Sequence, residues 1–212
     1  MGRDKLSLPI AEGSHVTVLD HVTDTAAQVA DRVWLLGPSS ADGRRFSRDL
    51  RVSVAGEQAS GQSAGLGIQV IADKRPYQGP LAALANGWEQ VLACLSRPDW
   101  VWVLAGDLPG VQVEVLCTLA EVLQTAEPMV DGVLALREGR WQPLLGCYRF
   151  SAGKAFATTH GDGQRHLSAA LERLTLRMLD GLALGWPDWW LRPVHTPEDY
   201  REWLRQRDQD LR

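Results

Sequence analysis

Apolar and polar positions along the chain alternate between two periods, and each change of period marks an element. The stretch SHVTVLDHVTDTAAQVA, Ser14 to Ala30, has apolar residues at helical spacing behind a Ser suited to an N-cap, and predicts a helix. RVWLLG follows as a short apolar run stopped by Gly37-Pro38, the pattern of a buried strand. From Ser39 to Gly65 the chain is rich in Ser, Gly, Arg and Ala with little periodicity. That reads as a surface excursion holding a short strand at Leu50 to Ala55. GLGIQVIAD predicts a second strand ending on Asp73. GPLAALANGWEQVLACL predicts a helix with Leu81, Leu84, Ala85, Trp88, Leu92 and Leu95 on one broad side.

DWVWVLAGD is apolar except at its ends, as a parallel strand covered on both faces should be. VQVEVLCTLAEVLQTA predicts an amphipathic helix. DGVLALRE and WQPLLGCYRF stand so close together that a hairpin is expected between them. The remainder predicts helices around Gln164 to Met178, a short strand at Gly181 to Gly185, and a last helix from Pro197. With no internal repeat and no linker, the pattern predicts one α/β domain over residues 1–212, with a mostly parallel sheet and a modified C-terminal portion.

Composition narrows the function classes. A net charge of −4 argues against a general nucleic-acid binder, although it leaves room for a local cationic cleft. No apolar run approaches the ~20 residues that span a bilayer, and the N-terminus lacks a signal-peptide pattern. Three scattered cysteines, Cys94, Cys117 and Cys147, with no CxxC, suggest reduced thiols and a cytoplasmic location. None of the five histidines has metal-ligand spacing, which argues against a zinc site. Among the nine tryptophans, WPDWW (Trp186 to Trp190) suits either a stacking platform for a flat ligand or packing of a late strand.

Ligands of open α/β sheets bind at the carboxyl ends of strands, and two acidic residues end strands here, Asp73 and Asp107. Either carboxylate suits a divalent cation such as Mg²⁺, which takes few protein ligands and completes its shell with phosphates and water. Each also suits a helix or turn cap. The opening MGRDK supplies Arg3 and Lys5, cations of the kind that offset phosphate charge in nucleotidyl transfer.

These pieces together resemble the molybdenum cofactor guanylyltransferases. MGRDK is similar to the end of their LAGGxSxRMGxDK signature, YQGPLAAL to their GPLAG-type segment, and AGDLPG to their CDxP element. GRWQPLLGCYR is similar to their xHPLxAL segment, GDGQRHLSAAL to their GxRRV-type stretch, and VHTPEDY to their NTPEDL. The resemblance runs nearly end to end and implies a three-layer Rossmann-like nucleotidyltransferase fold. It also implies a reaction in which GTP and molybdenum-molybdopterin give the guanine dinucleotide cofactor and pyrophosphate.

By the same resemblance Lys5 contacts GTP phosphates, Asp73 lies in the GTP site, and Asp107 is the catalytic Mg²⁺ ligand. Arg3, Gly79, Pro80, Pro143 and Arg165 become substrate-side residues, with Arg165 assigned to the pterin phosphate. A molybdoenzyme or a cofactor chaperone is the implied protein partner. The resemblance enters at the Met of RMGxDK, so the true start is expected about 15–20 residues upstream of Met1, a length set by one first strand plus the Gly-rich half-loop. Two other readings stand beside it. One is a nucleotidyltransferase using CTP or a sugar phosphate; the other is a truncated, non-catalytic cofactor-binding homologue. This chain departs from the family at Pro193 and His195, where the family often has Asn, and at Gly106, where it commonly has Cys.

Overall fold

The structure, a computed structural model, describes residues 5–37, 52–54, 67–72, 78–92 and 98–210. The chain trace divides into two compact units. One comprises Met1–Val29, Trp100–Tyr148 and Leu176–Arg212, and the other Ala30–Asp99 and Arg149–Thr175.

In the first unit, helix α1 (Val18–Ala27) begins three residues later than Ser14 suggests, because Thr17 is the cap. Its hydroxyl accepts the Asp20 N–H at 3.2 Å, while the Asp20 carboxylate accepts the Thr17 N–H at 3.0 Å. This reciprocal box satisfies two donors that would otherwise be orphaned at the helix start. The sheet of this unit contains β4 (Trp100–Leu104), β5 (Gly132–Arg137), β6 (Arg140–Arg149) and β7 (Leu176–Asp180), in the order β4-β6-β5-β7. The expected hairpin is β5–β6, antiparallel, closed by Glu138 (φ 51°) and Gly139 (φ 72°). Two consecutive positive φ values match the twist of a two-residue hairpin loop. β7 lies parallel to β5, so this sheet is mixed.

Helix α3 (Val113–Thr125) lays Val115, Leu116, Leu119 and Leu123 into a core with Val133, Ala135, Leu145 and Cys147, all without solvent exposure. Trp102 is tied to this helix through Nε1, which donates to the Leu116 carbonyl at 3.0 Å. The tryptophan cluster forms the short helix α6 (Asp188–Leu191) rather than a strand. Trp186 and Trp189 are buried, and Trp189 Nε1 donates to Asp210 Oδ2 at 2.6 Å, so packing is their structural role. A Cβ on Gly110 would fall on the Trp189 carbonyl, which is why that close approach needs glycine. The last helix, α7 (Pro197–Asp210), follows the sequence expectation.

The second unit holds β1 (Arg32–Gly37), β2 (Val52–Val54) and β3 (Gly67–Ala72) in the order β1-β3-β2, all parallel. Helix α2 (Pro80–Leu92) buries Leu81, Leu84, Ala85 and Trp88. It packs with α4 (Gly153–Gly161) and α5 (Leu167–Leu171). The Trp88 ring lies so near Gly153 that a Cβ there would overlap the indole, and its Nε1 donates to the Phe150 carbonyl at 3.0 Å.

Between Gln164 and Met178 the helical expectation holds only for α5. Residues Leu176–Asp180 are strand β7, and the predicted strand at Gly181 to Gly185 is a turn. Pairing with β5 decides this, because a weak local pattern yields to an available sheet edge. Gly181 N–H closes the turn on the Leu136 carbonyl at 3.2 Å, and Gly185 carries φ 77°.

Candidate functional site

The site in the first unit starts from a tight 3-10 turn, Lys5–Ser7, which puts Lys5 where α1 is anchored. Val18 N–H donates to the Leu8 carbonyl at 2.8 Å, and Ile10 N–H to the Val16 carbonyl at 2.9 Å, zipping the segment to the helix start. Opposite stands Asp107, in the turn that leaves β4. Ala105 N–H holds that turn to the Leu144 carbonyl on β6, and buried Leu108 and Val111 anchor its far side. Leu6 and Leu19 side chains close over Gly106; a Cβ there would stand 3.4 Å from Leu19 and 3.5 Å from Leu6. That is ordinary van der Waals contact, so a Cβ is accommodated here.

The result is a pair of charges 102 residues apart in sequence: Lys5 Nζ donates to Asp107 Oδ2 at 2.5 Å. The Asp107 side chain is 13% exposed and that of Lys5 is 34% exposed. A third group joins them, since His195 Nδ1 lies 3.2 Å from the same Oδ2. The Asp107 backbone is held as well, its carbonyl accepting the Val194 N–H at 2.9 Å. Oδ1 of Asp107 receives no donor among the described residues.

The other predicted residues are distributed as follows. Pro143 sits half-buried in β6, its carbonyl accepting the Tyr148 hydroxyl at 2.8 Å; burial raises the Tyr148 pKa above the ordinary phenol value. In the second unit Gly79 has φ 90°, a conformation suited to glycine, and Pro80 opens α2 immediately after it. A Cβ on Gly79 would stand 3.7 Å from the Arg165 carbonyl, so these two predicted residues are neighbours. The Arg165 side chain is exposed and engages no described partner. Arg3 and Asp73 lie outside the described residues. His195 and Val194 are the participants that sequence reasoning did not assign. The only local signal was that His195 stands where the resembled family often has Asn.

No group of three or more His, Cys, Asp or Glu side chains gathers among the described residues into a metal cage. One carboxylate with an oxygen turned away from its donors is nonetheless the kind of protein contribution that Mg²⁺ or Mn²⁺ accepts. Such ions leave most of their coordination to phosphates and water.

The profile of the MobA-like NTP transferase domain matches residues 1–176. The chain belongs to that family. Among its relatives is a Synechococcus elongatus protein named probable molybdenum cofactor guanylyltransferase. It is 27% identical over 203 residues, which span 95% of this chain and 90% of that one. A Trichormus variabilis protein of the same name is 33% identical over 122 residues, 58% of this chain and 55% of that one. The fold matches the crystal structure of molybdopterin-guanine dinucleotide biosynthesis protein A from Archaeoglobus fulgidus. The TM-score is 0.70 at 18% identity, covering 98% of this chain and 92% of that chain. A 4-diphosphocytidyl-2C-methyl-D-erythritol synthase from Anaerococcus prevotii has the same fold at 10% identity, with TM-score 0.62 over 91% of this chain and 86% of that one. The MobA-like NTP transferase domain is thus a nucleotidyltransferase fold, and this chain is an enzyme of that class.

Proposed function

We propose that the chain transfers GMP from GTP to molybdenum-molybdopterin, forming the guanine dinucleotide cofactor and releasing pyrophosphate. The observation that carries the proposal is the Lys5–Asp107 pair. It brings a cation suited to phosphate and a carboxylate suited to a metal into contact, in a family whose named relatives are guanylyltransferases. In the reaction a terminal phosphate oxygen of the pterin forms a bond to the α-phosphorus of GTP. The bond from that phosphorus to the β-phosphate oxygen breaks, and pyrophosphate carries away the charge.

Lys5 is assigned to that developing charge, and Asp107 would hold Mg²⁺, its Oδ1 being the carboxylate oxygen without a described donor. When bound, Mg²⁺ neutralises phosphate charge and orients the leaving group. On the second unit Gly79 and Pro80 are assigned to substrate binding and Arg165 to the pterin phosphate. The first turn of α2, which Pro80 opens, carries no acidic side chain to repel an anion. Asp73 keeps the nucleotide-side role, and Arg3 the substrate-side role, that the family resemblance gives them. The cytoplasm is the proposed place of action, and a molybdoenzyme or a cofactor chaperone is the proposed protein partner.

The test is pyrophosphate release by the purified chain with Mg²⁺, molybdenum-molybdopterin and either GTP or CTP. GTP should support turnover, and Asp107→Ala should lower it by about 100-fold, the scale of losing one preorganised electrostatic contact. Faster turnover with CTP would replace the guanine assignment. Unchanged turnover in the Asp107 variant would remove Asp107 from the mechanism.

A further inference from the structure

Two nitrogens of very different kinds stand at one oxygen of the Asp107 carboxylate. Lys5 reaches Oδ2 at the end of a flexible four-carbon stem whose side chain is one-third exposed. His195 reaches the same oxygen at 3.2 Å from a backbone that has little freedom. The preceding residue, Val194, is 1% exposed in a cluster with Trp189 and Trp203, and its N–H donates to the Asp107 carbonyl. His195 N–H donates to Asp199 Oδ2 at 3.1 Å, and Thr196 N–H donates to the same oxygen at 2.7 Å. Asp199 N–H returns a bond to Thr196 Oγ1 at 3.1 Å, which completes the start of α7. Of the consecutive residues 194 and 195, Val194 therefore holds the Asp107 carbonyl and His195 stands against its carboxylate.

We propose that His195 is the positioning residue of Asp107, its Nδ1, 3.2 Å from Oδ2, donating to that oxygen so that Oδ1 is left for the metal. The inference rests on the role given to Asp107 above. Such donation requires the hydrogen on Nδ1, so Nε2 is left as the ring nitrogen that does not act on Asp107. Any share of the Lys5 ammonium drawn to a phosphate is taken from Asp107. The histidine donor, set by the start of α7, is not drawn away. His195 thus matters most when nucleotide is bound.

The experiment is Mn²⁺ binding to the full chain, with and without GTP, followed at one fixed pH by the paramagnetic resonance signal of free Mn²⁺. With GTP present, His195→Ala should raise the Mn²⁺ dissociation constant by about 10-fold, the scale of losing an outer partner of a metal ligand. Without nucleotide the effect should be smaller, because Lys5 remains on Oδ2. The conservative variants separate the two ring nitrogens. The amide nitrogen of His195→Asn sits where Nδ1 sits and should restore affinity, whereas that of His195→Gln sits near Nε2 and should not. Melting temperature checks that each variant is folded, and the exposed ring predicts little change. Asp107→Ala supplies the control. If it leaves Mn²⁺ affinity unchanged, the assignment of the metal to Asp107 fails. If it abolishes binding while His195→Ala changes nothing, or if Gln rescues and Asn does not, the positioning role alone is overturned.

Discussion

Arg165 and Asp107 show how differently single residues can be committed within one fold. Asp107 is engaged through Oδ2 and through its backbone carbonyl, so replacing its side chain removes the Lys5 and His195 contacts together. Arg165 is exposed and engages no described partner, so its side chain has little structural work to lose. Arg165→Ala should therefore leave the urea midpoint unchanged, within about 0.5 kcal/mol, while weakening the molybdopterin substrate by several-fold. Equal loss of stability and affinity would mean that the guanidinium serves the fold instead. The site was legible in the sequence to the extent that residue types carry chemistry: MGRDK and the strand-ending Asp107 pointed to the pair now seen in contact. The His195 contact was not legible. It joins positions far apart in the chain, and nothing around VHTPED indicates which carboxylate the ring will face.

Elements were readable where local and tertiary signals agree. Helix α3 combines strong periodicity with a fully buried stripe, and the β5–β6 hairpin combines two apolar runs with a turn that accepts positive φ. β7 departs from the helical expectation because LRMLD has neither clean alternation nor a breaker at its start; its partner strand, not its own sequence, makes it a strand. The start of α7 illustrates a local signal with a remote consequence. Thr196 and Asp199 form a capping pair, and Asp199 also accepts the backbone N–H of His195. Thr196→Ala should cost about 1 kcal/mol of stability through the lost cap. It should also weaken Mn²⁺ binding in the presence of GTP, though less than His195→Ala does, because the ring is retained and only its support loosened. Calorimetry paired with the Mn²⁺ titration checks both. A stability loss with unaltered metal affinity would disconnect the cap from the site.

At the scale of the whole molecule, two opposing effects meet on mild acidification. The chain carries a net charge of −4 near neutrality and a pI of about 5.7, so lowering the pH toward that value reduces self-repulsion and favours the folded state. His21 acts in the opposite direction. Burial lowers its pKa from the ordinary 6.5; the Val111 carbonyl, 3.1 Å from Nε2, and the charge of Asp24 only partly offset that. The unfolded chain therefore takes up a proton near 6.5 that the folded chain resists, and stability falls as the pH drops from there to the depressed folded value. Asp188 adds a second, lower step. Burial alone would raise its pKa, but hydrogen bonds and charge from Arg137 and Arg192 prevail and hold it below 3.8. Its stabilisation is full above about 3.8 and is lost as the pH falls through its folded value. The expected outcome is a decline in urea midpoint beginning near pH 6.5, followed by a second in strong acid. His21→Gln keeps a donor for the Val111 carbonyl and cannot charge, so it should remove the first decline and leave the second. Because that variant has the same formal charge at neutral pH, the difference between the two curves isolates the histidine from the charge of the molecule as a whole. A variant curve that still falls near 6.5 would place the titrating group elsewhere.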